Sequence, residues 1–158
     1  MRVGLGYDSH RFAPGRRLVL GGVPIPYPLG LAGHSDADAV AHAVADALLG
    51  AAALGDIGRH FPPTDPRWRD ADSLQLLGKV AALLADRGLR PRHVDVTVVT
   101  EAPAIAPYAE EMRRRLAGVL GLAVEAVSVK GKSNEGLGWI GRGEGLAAFA
   151  VALVDEAR

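Results

Sequence analysis

Two short segments near the N-terminus contain residues that could bind one metal ion together. Residues 6–10 hold Asp8 and His10, and residues 33–42 hold His42. Asp8 and His10 are two positions apart, so their side chains leave the same face of an extended strand. One carboxylate and two imidazoles would leave the fourth position of a tetrahedral zinc ion open, which is typical of catalytic rather than structural zinc sites.

The same residues also have an interpretation without a metal. Asp8 and His10 could lie in a turn at the end of a strand, and His42 could lie half-buried on a helix, as histidine often does. The clustering of the three residues favours the metal site. Asp46 follows His42 by one helical turn, so it could hold the second imidazole nitrogen or remain a solvated carboxylate.

The composition excludes several classes of function. The chain has 158 residues with 18 basic and 18 acidic side chains, and a net charge of zero argues against nucleic-acid and membrane-surface partners. The absence of cysteine excludes a disulfide framework, a thiolate zinc site and a cysteine nucleophile. The N-terminus has no signal sequence and no apolar run is long enough to span a membrane, so we expect a cytoplasmic protein.

Hydrophobic periodicity predicts the fold class. We expect one α+β domain over residues 1–158, with a four-stranded mixed sheet, helices packed on one face and a small hairpin. The run 145–155 is apolar on both faces, and its periodicity does not decide between a helix and a buried strand. The other expected strands are 3–7, 94–99 and 124–129, with the hairpin at 17–26 around Gly21 and Gly22.

Capping residues predict where the helices begin and end. Ser35 is expected to cap the first helix, with Asp38 three residues later. The second helix is expected to begin at Asp72 and Ser73, and Pro107 is expected to begin the third. The helices are expected to end at Gly50 or Gly55, Gly88 and Gly121, with a proline-rich loop over 56–70.

Two segments could contact phosphate. Free amides at a helix start suit a phosphate oxygen, so Ser35 could bind one, although Ser35 could equally be only a cap. Residues 130–139 combine glycines with lysine, serine and asparagine after a strand, which suits a phosphate-contacting loop but lacks the P-loop spacing. Arg142 could hold a phosphate or pair with Glu144 or Glu135.

Taken in order, these segments resemble the 2-C-methyl-D-erythritol 2,4-cyclodiphosphate synthase family of the non-mevalonate isoprenoid pathway. The resemblance covers essentially the whole chain, and the joint occurrence of its motifs is highly specific. The motifs are residues 6–10, Gly21-Gly22, His34-Ser35-Asp36, residues 46–58, Phe61-Pro62 and residues 141–145.

The resemblance implies a homotrimer with active sites at the subunit interfaces. Zinc would be bound by the Asp8, His10 and His42 triad, and Glu135 would hold a second divalent ion, magnesium or manganese. His34 and Ser133 would stabilise the transition state.

The resemblance also implies a nucleotide-diphosphate substrate. Asp56 and Gly58 would contact the ribose, and residues 100–106 would contact the cytosine. An isoprenoid diphosphate could bind at the trimer axis, near Trp139 and Arg142. The substrate-binding residues so implied are Ser9, Ser35, Asp56, Ile57, Gly58, Phe61, Pro62, Pro63, Thr64, Asp65, Thr100, Glu101, Ala102, Pro103, Ala104, Ile105, Ala106, Lys132, Asn134, Trp139 and Arg142.

The implied reaction is a phosphorus–oxygen lyase reaction within one molecule. The 2-phosphate of 4-diphosphocytidyl-2-C-methyl-D-erythritol 2-phosphate attacks the β-phosphorus, releases CMP and closes a cyclic diphosphate. Such phosphoryl transfer needs mainly positioning and neutralisation of charge. Two alternatives remain open, a metal-dependent phosphohydrolase and a non-catalytic trimeric module that binds metal only for structure.

Four positions depart from the family pattern. Ser133 stands where threonine is common and keeps the hydroxyl, and Trp139 replaces the usual phenylalanine. Pro63 stands where aspartate is frequent, and Ala104 where lysine is common. We therefore expect the role of Ser133 to survive, whereas the family's aspartate and lysine side-chain contacts are not expected at positions 63 and 104.

Overall fold

A mixed sheet of five strands forms the framework of the structure, a computed structural model that describes residues 1–157. The strands are β1 (Arg2–Ala13), β2 (Leu18–Leu20), β3 (Val23–Ile25), β4 (Gly30–Leu31), β5 (Leu89–Val99), β6 (Val127–Lys132) and β7 (Gly145–Glu156). The sheet has the order β4-β1-β7-β5-β6, in which β5 and β6 are parallel and the other neighbouring pairs are antiparallel. Strands β2 and β3 form the separate hairpin that the sequence predicts.

Helices pack on one face of this sheet, in agreement with the predicted α+β class. They are α1 (Ala39–Ala51), α2 (Ile57–His60), α3 (Ser73–Ala85), α4 (Ala106–Leu120) and α5 (Gly138–Gly141). Asp72 caps α3 and a left-handed Gly121 ends α4, both as predicted. No helix within residues 1–157 is long and apolar enough to cross a membrane.

Small residues let α1 approach the sheet closely. Gly4 and Gly6 of β1 face the α1 backbone, and a Cβ atom at either position would overlap the carbonyl oxygen of Ala47 or Ala43. The β7 residues paired with Gly4 and Gly6 are Ala152 and Ala150, which are also small and buried. Helix and sheet therefore meet here with few large side chains between them. This close packing fixes the position of α1 along β1.

The opposite face of the sheet is apolar and exposed. Val3 and Leu5 are each 69% exposed, and Tyr7 is 48% exposed. Phe149 and Val151 continue this surface on β7, directly across from Tyr7 and Leu5. A contiguous apolar face of this kind is typical of a surface that another protein chain covers.

The prediction of four strands was wrong, because β4 adds a fifth. Strand β4 has two residues, which pair with Phe12 and Ala13 at the end of β1. Two residues are too few to show alternation in the sequence. The undecided C-terminal run is strand β7, which lies between β1 and β5. Its outer apolar residues belong to the exposed sheet face, which explains why both of its faces are apolar.

The predicted helix cap at Ser35 was also wrong. Ala37 has a left-handed backbone with φ 57°, which interrupts any helix begun at Ser35. The helix begins at Ala39, and Asp38 accepts the hydrogen bond of the Ala41 amide at 3.0 Å. Asp38 also accepts hydrogen bonds from the amides of Gly21 and Gly22, so this buried carboxylate joins the hairpin turn to α1.

Burial has a marked effect on this carboxylate. It raises the pKa of Asp38 to about 6, and the nearby Asp36 carboxylate acts in the same direction against the three amide donors. Asp38 is fully buried and its oxygens accept backbone amides, so its role is structural.

The other local predictions differ in detail. The loop expected over 56–70 contains α2 and a short 3₁₀ turn, Pro66–Trp68. The strand expected at 124–129 begins only at Val127, after a 3₁₀ turn over Val124–Ala126. Single turns of this kind are too short to show a hydrophobic period in the sequence.

Candidate metal centre and active site

The packing of α1 on β1 brings the three predicted metal ligands together. Gly4 faces Ala47 and Ala51, and Gly6 faces Ala43, so each step of two residues along β1 moves about one turn back along α1. The next residue on this face of β1 is Asp8, which therefore meets the first turn of α1. His42 lies in that turn, and His10 follows Asp8 on the same face.

The three side chains converge on one point. Asp8 Oδ2 lies 2.7 Å from His10 Nε2 and 3.1 Å from His42 Nδ1. All three candidate ligand atoms lie within 4.8 Å of one another. Because one carboxylate oxygen and two imidazole nitrogens at these distances can share a tetrahedral ion, the residues fit zinc.

His10 is held in the orientation that a metal ligand needs. Its Nδ1 donates a hydrogen bond to the carbonyl oxygen of Ala32 at 2.7 Å, which leaves Nε2 directed at Asp8. A second partner of this kind fixes the ring and increases its basicity as a ligand.

Asp8 and His10 perturb each other's protonation. Burial opposes the charge on Asp8, but the hydrogen bonds and charges of His10 and His42 outweigh it and hold the pKa of Asp8 below its ordinary value. Burial alone would lower the pKa of His10, but Asp8 and the Ala32 carbonyl raise it. The lowered pKa keeps Asp8 anionic, which suits a cation, whereas the raised pKa of His10 means that a bound metal must displace a proton from this ring.

A cleft of about 250 Å³ opens beside the triad. His34 lies in it, with Nε2 donating to the carbonyl oxygen of Asp65 at 3.3 Å. Trp68 and Leu76 also line this cleft, and they are site residues that the sequence analysis missed. The predicted residues that line it are His10, His34, Ser35, His42, Ile57, Gly58, Phe61 and Pro63.

The structure does not support the predicted phosphate contact through free amides of a helix that starts at Ser35. The Ala37 amide donates to Ser35 Oγ, and the Asp38 amide donates to Asp36 Oδ1. The Asp36 amide donates to the carbonyl oxygen of Ala71. These three amides donate within the protein, whereas the side chains of His34 and Ser35 line the cleft.

A second cleft, also about 250 Å³, contains the predicted cytidine-binding segment. Within residues 1–157, the lining of this cleft has no residue in common with that of the metal cleft. The predicted residues that line it are Thr100, Glu101, Pro103, Ala104, Ile105, Ala106, Lys132 and Ser133. One chain therefore presents the two halves of the predicted site as separate clefts.

The side chain of Glu101 organises the loop beside the second cleft. Its Oε1 accepts the amide hydrogens of Asn134 at 2.8 Å and Gly136 at 3.2 Å. Between them, Glu135 has a left-handed backbone with φ 55°, and its carboxylate accepts a hydrogen bond from Ser133 Oγ. The loop thus presents the hydroxyl of Ser133 and the carboxylate of Glu135 next to each other.

Several predicted contact residues have partners within the chain. Asp56 caps α2 through the Arg59 amide, and Asp65 forms an ion pair with Arg67. Arg142 pairs with Glu144 at 2.9 Å, which is the structural alternative that the sequence left open. Trp139 lies with Ser9 and Glu144 at the edge of a different hollow.

Asp46 does not hold His42. Its Oδ1 accepts the Ile57 amide hydrogen at 2.7 Å and so anchors α2 to α1. His42 Nε2 contacts Ser73 instead, and Ser73 is bonded to Asp36. The spacing of one helical turn pointed to Asp46, a neighbour of His42 on the same helix. The observed partner, Ser73, lies on another helix and is 31 positions from His42 in the chain.

The fold and the convergent triad define the class, an α+β protein with a candidate catalytic metal site. Residues 1–155 match the YgbB family, and the chain belongs to this family. This result confirms the resemblance found in the sequence.

Known relatives match over the whole chain. The 2-C-methyl-D-erythritol 2,4-cyclodiphosphate synthase of Chlorobaculum tepidum is 56% identical, over 99% of this chain and 100% of its own. The structure of a 2C-methyl-D-erythritol-2,4-cyclodiphosphate synthase in a CDP-bound form superimposes with a TM-score of 0.89 at 38% identity, over 98% of this chain and 100% of that one. The bifunctional IspDF of Campylobacter jejuni gives a TM-score of 0.95 at 36% identity, over 98% of this chain and 42% of that one.

Proposed function

We propose that this protein is a 2-C-methyl-D-erythritol 2,4-cyclodiphosphate synthase. It would convert 4-diphosphocytidyl-2-C-methyl-D-erythritol 2-phosphate into the cyclic diphosphate and CMP, as a phosphorus–oxygen lyase of isoprenoid precursor synthesis. The observation that carries the proposal is the convergence of Asp8, His10 and His42 beside a cleft that contains His34 and Ser35. Support also comes from the full-length similarity to synthases and from the CDP-bound relative.

The triad would hold zinc, which acts as a Lewis acid toward a phosphate oxygen when bound. Glu135 would hold magnesium or manganese, since one carboxylate together with phosphate oxygens suits these ions. His10 and His42 line the metal cleft, and Glu135 accepts a hydrogen bond from Ser133, which lines the second cleft.

The chain's own residues would position and stabilise the reacting groups. His34 and Ser133 would donate hydrogen bonds to oxygens on which charge develops in the transition state. Residues 100–106 would hold the cytosine and Lys132 would neutralise phosphate charge. Because nucleophile and electrophile belong to one molecule, holding them in line supplies much of the rate.

The two separate clefts support a homotrimer with shared active sites. If each active site combines the metal cleft of one subunit with the cytidine cleft of the next, then a single chain is incomplete. The exposed apolar face formed by Val3, Leu5, Tyr7, Phe149 and Val151 supplies a surface on which three copies could pack. An isoprenoid diphosphate site near Trp139 and Arg142 depends on this assembly.

The trimer can be tested with one charge on the apolar face. We expect a native mass of about three times 16.5 kDa by sedimentation equilibrium. Leu5→Glu should give an inactive monomer, because it places a charge in the packed interface. Gln75→Glu adds the same charge on an exposed position of α3 and should change neither mass nor turnover. An active monomer would contradict shared sites.

Phosphorus NMR tests the reaction directly. With 4-diphosphocytidyl-2-C-methyl-D-erythritol 2-phosphate, zinc and magnesium, we expect the cyclic diphosphate and CMP to appear in equal amounts. Chelation of the metals should stop both signals, and their return should restore them. Release of orthophosphate would instead identify a phosphohydrolase, and absence of turnover with zinc bound would identify a binding module.

A further inference from the structure

The outer nitrogen of His42 has a buried partner to which the proposed reaction assigns no role. Ser73 Oγ lies 2.7 Å from His42 Nε2, on the side of the ring away from Asp8. Ser73 is 1% exposed and belongs to the first turn of α3, whereas His42 belongs to α1. This contact therefore joins two helices at the back of the metal centre.

Asp36 determines which way the Ser73 hydroxyl points. Its Oδ1 accepts the Ser73 hydroxyl hydrogen, and its Oδ2 accepts the Ser73 amide hydrogen at 3.0 Å. The Asp38 amide, which donates to Asp36 Oδ1 at 3.1 Å, holds the carboxylate from the other side. A carboxylate has only acceptor oxygens and the hydroxyl has one hydrogen, so Ser73 presents a lone pair to His42.

This arrangement selects one tautomer of His42. To meet a lone pair at 2.7 Å, Nε2 must carry the hydrogen, which leaves the lone pair of a neutral imidazole on Nδ1. Nδ1 faces Asp8 Oδ2 at 3.1 Å, and two electron-pair donors at this distance favour a cation between them.

We infer that Ser73, oriented by Asp36, is a positioning residue that presents His42 Nδ1 to the metal. The inference rests on the proposed metal triad. It assigns to His42 the same kind of support that the Ala32 carbonyl gives His10, but supplied by side chains. Partners of this kind typically change metal affinity by 10- to 100-fold.

Ser35 is the competing partner of His42. Its Oγ lies 3.2 Å from His42 Nε2 and accepts the Ala37 amide hydrogen at 3.2 Å. If Ser35 donated its hydroxyl hydrogen to Nε2, the opposite tautomer would follow and Nε2 would face the lone pair of Ser73. The shorter contact to Ser73 and the commitment of its hydrogen to Asp36 favour the tautomer with hydrogen on Nε2.

The first experiment is NMR of the zinc-loaded protein with ¹⁵N-labelled histidine. We expect zinc on Nδ1 of His42 and a hydrogen on Nε2 that exchanges slowly with water, because Ser73 accepts it in a buried site. In Ser73→Ala this hydrogen should exchange much faster. Metal on Nε2 in the native protein, or an exchange rate unchanged by Ser73→Ala, overturns the inference.

The second experiment is zinc affinity, measured by chelator competition without substrate. Ser73→Ala removes the hydroxyl but keeps the amide that Asp36 accepts, and we expect its zinc dissociation constant to rise by roughly 10- to 100-fold. Asp72→Asn is the matched control, since Asp72 caps the same helix through the Leu74 amide. It should leave zinc affinity within about threefold of the native value.

Asp36→Asn provides a second variant in case Ser73→Ala does not fold. An asparagine amide has one acceptor oxygen for the two Ser73 donors, so we expect several-fold weaker zinc binding. If these variants bind zinc as tightly as Asp72→Asn does, the role of Ser73 is overturned and the metal triad is not. Absence of zinc binding by the native protein rejects the metal triad itself, so the two failures are distinguishable.

Discussion

Replacement of His42 by alanine is expected to abolish stoichiometric zinc binding and to lower kcat by roughly a thousandfold or more. The Asp8, His10 and His42 donors surround one point, and removal of His42 leaves only two protein ligands. Charge stabilisation by a bound metal contributes several kcal/mol to such reactions, and each 1.36 kcal/mol corresponds to about tenfold in rate. Zinc content by metal analysis and turnover by phosphorus NMR measure the two effects on the same sample.

His93→Ala is the matched control for this variant. His93 lies exposed on β5, away from the triad, and its replacement should leave zinc content unchanged. The thermal unfolding temperature of metal-free His42→Ala should be recorded beside it, to separate loss of metal from loss of fold. Native turnover by a zinc-free His42→Ala protein would contradict the metal assignment.

Replacement of Gly6 by alanine is expected to destabilise the protein by about 3 kcal/mol or more. An added Cβ would overlap the Ala43 carbonyl oxygen and come within 2.8 Å of the Ala43 carbonyl carbon and the Ala47 amide nitrogen. These are backbone atoms of a packed helix, so relief requires α1 to move away from the sheet, and overpacking of this kind is costly. Urea unfolding of the metal-free protein measures the change in free energy.

Gly50→Ala is the opposite control on the same helix. Beyond its own helix, a Cβ at Gly50 meets no atom of residues 1–157 within 4 Å, so alanine should stabilise α1 by up to about 1 kcal/mol through its higher helix propensity. Gly6→Ala should also weaken zinc binding, because displacement of α1 moves His42 relative to Asp8. Equal stabilities of Gly6→Ala and the native protein would show that α1 is not held by this contact.

The sequence by itself predicted the features that depend on local chemistry. The two-residue spacing of Asp8 and His10 places both on one face of a strand, and β1 extends through them. Asp72 and Gly121 mark helix ends because their capping contacts involve residues close in the chain. The family resemblance, which depends on many such segments in order, was confirmed for the same reason.

Tertiary structure alone decided which side chains meet across the chain. The helix begins after Asp38 rather than at Ser35, because Ala37 has a left-handed backbone. The buried Asp38 carboxylate also accepts amide hydrogens from the hairpin turn. Asp46 accepts a hydrogen bond from α2, whereas Ser73, bonded to Asp36, contacts His42 Nε2. Hydrophobic period and spacing describe neighbours on one element. The close approach of α1 to β1 places His42 beside Asp8, 34 positions away, and the packing of α3 places Ser73 beside His42 and Asp36, 31 and 37 positions away. The candidate metal ligands could therefore be predicted from residue type, whereas the groups that orient them depend on the packing of the helices.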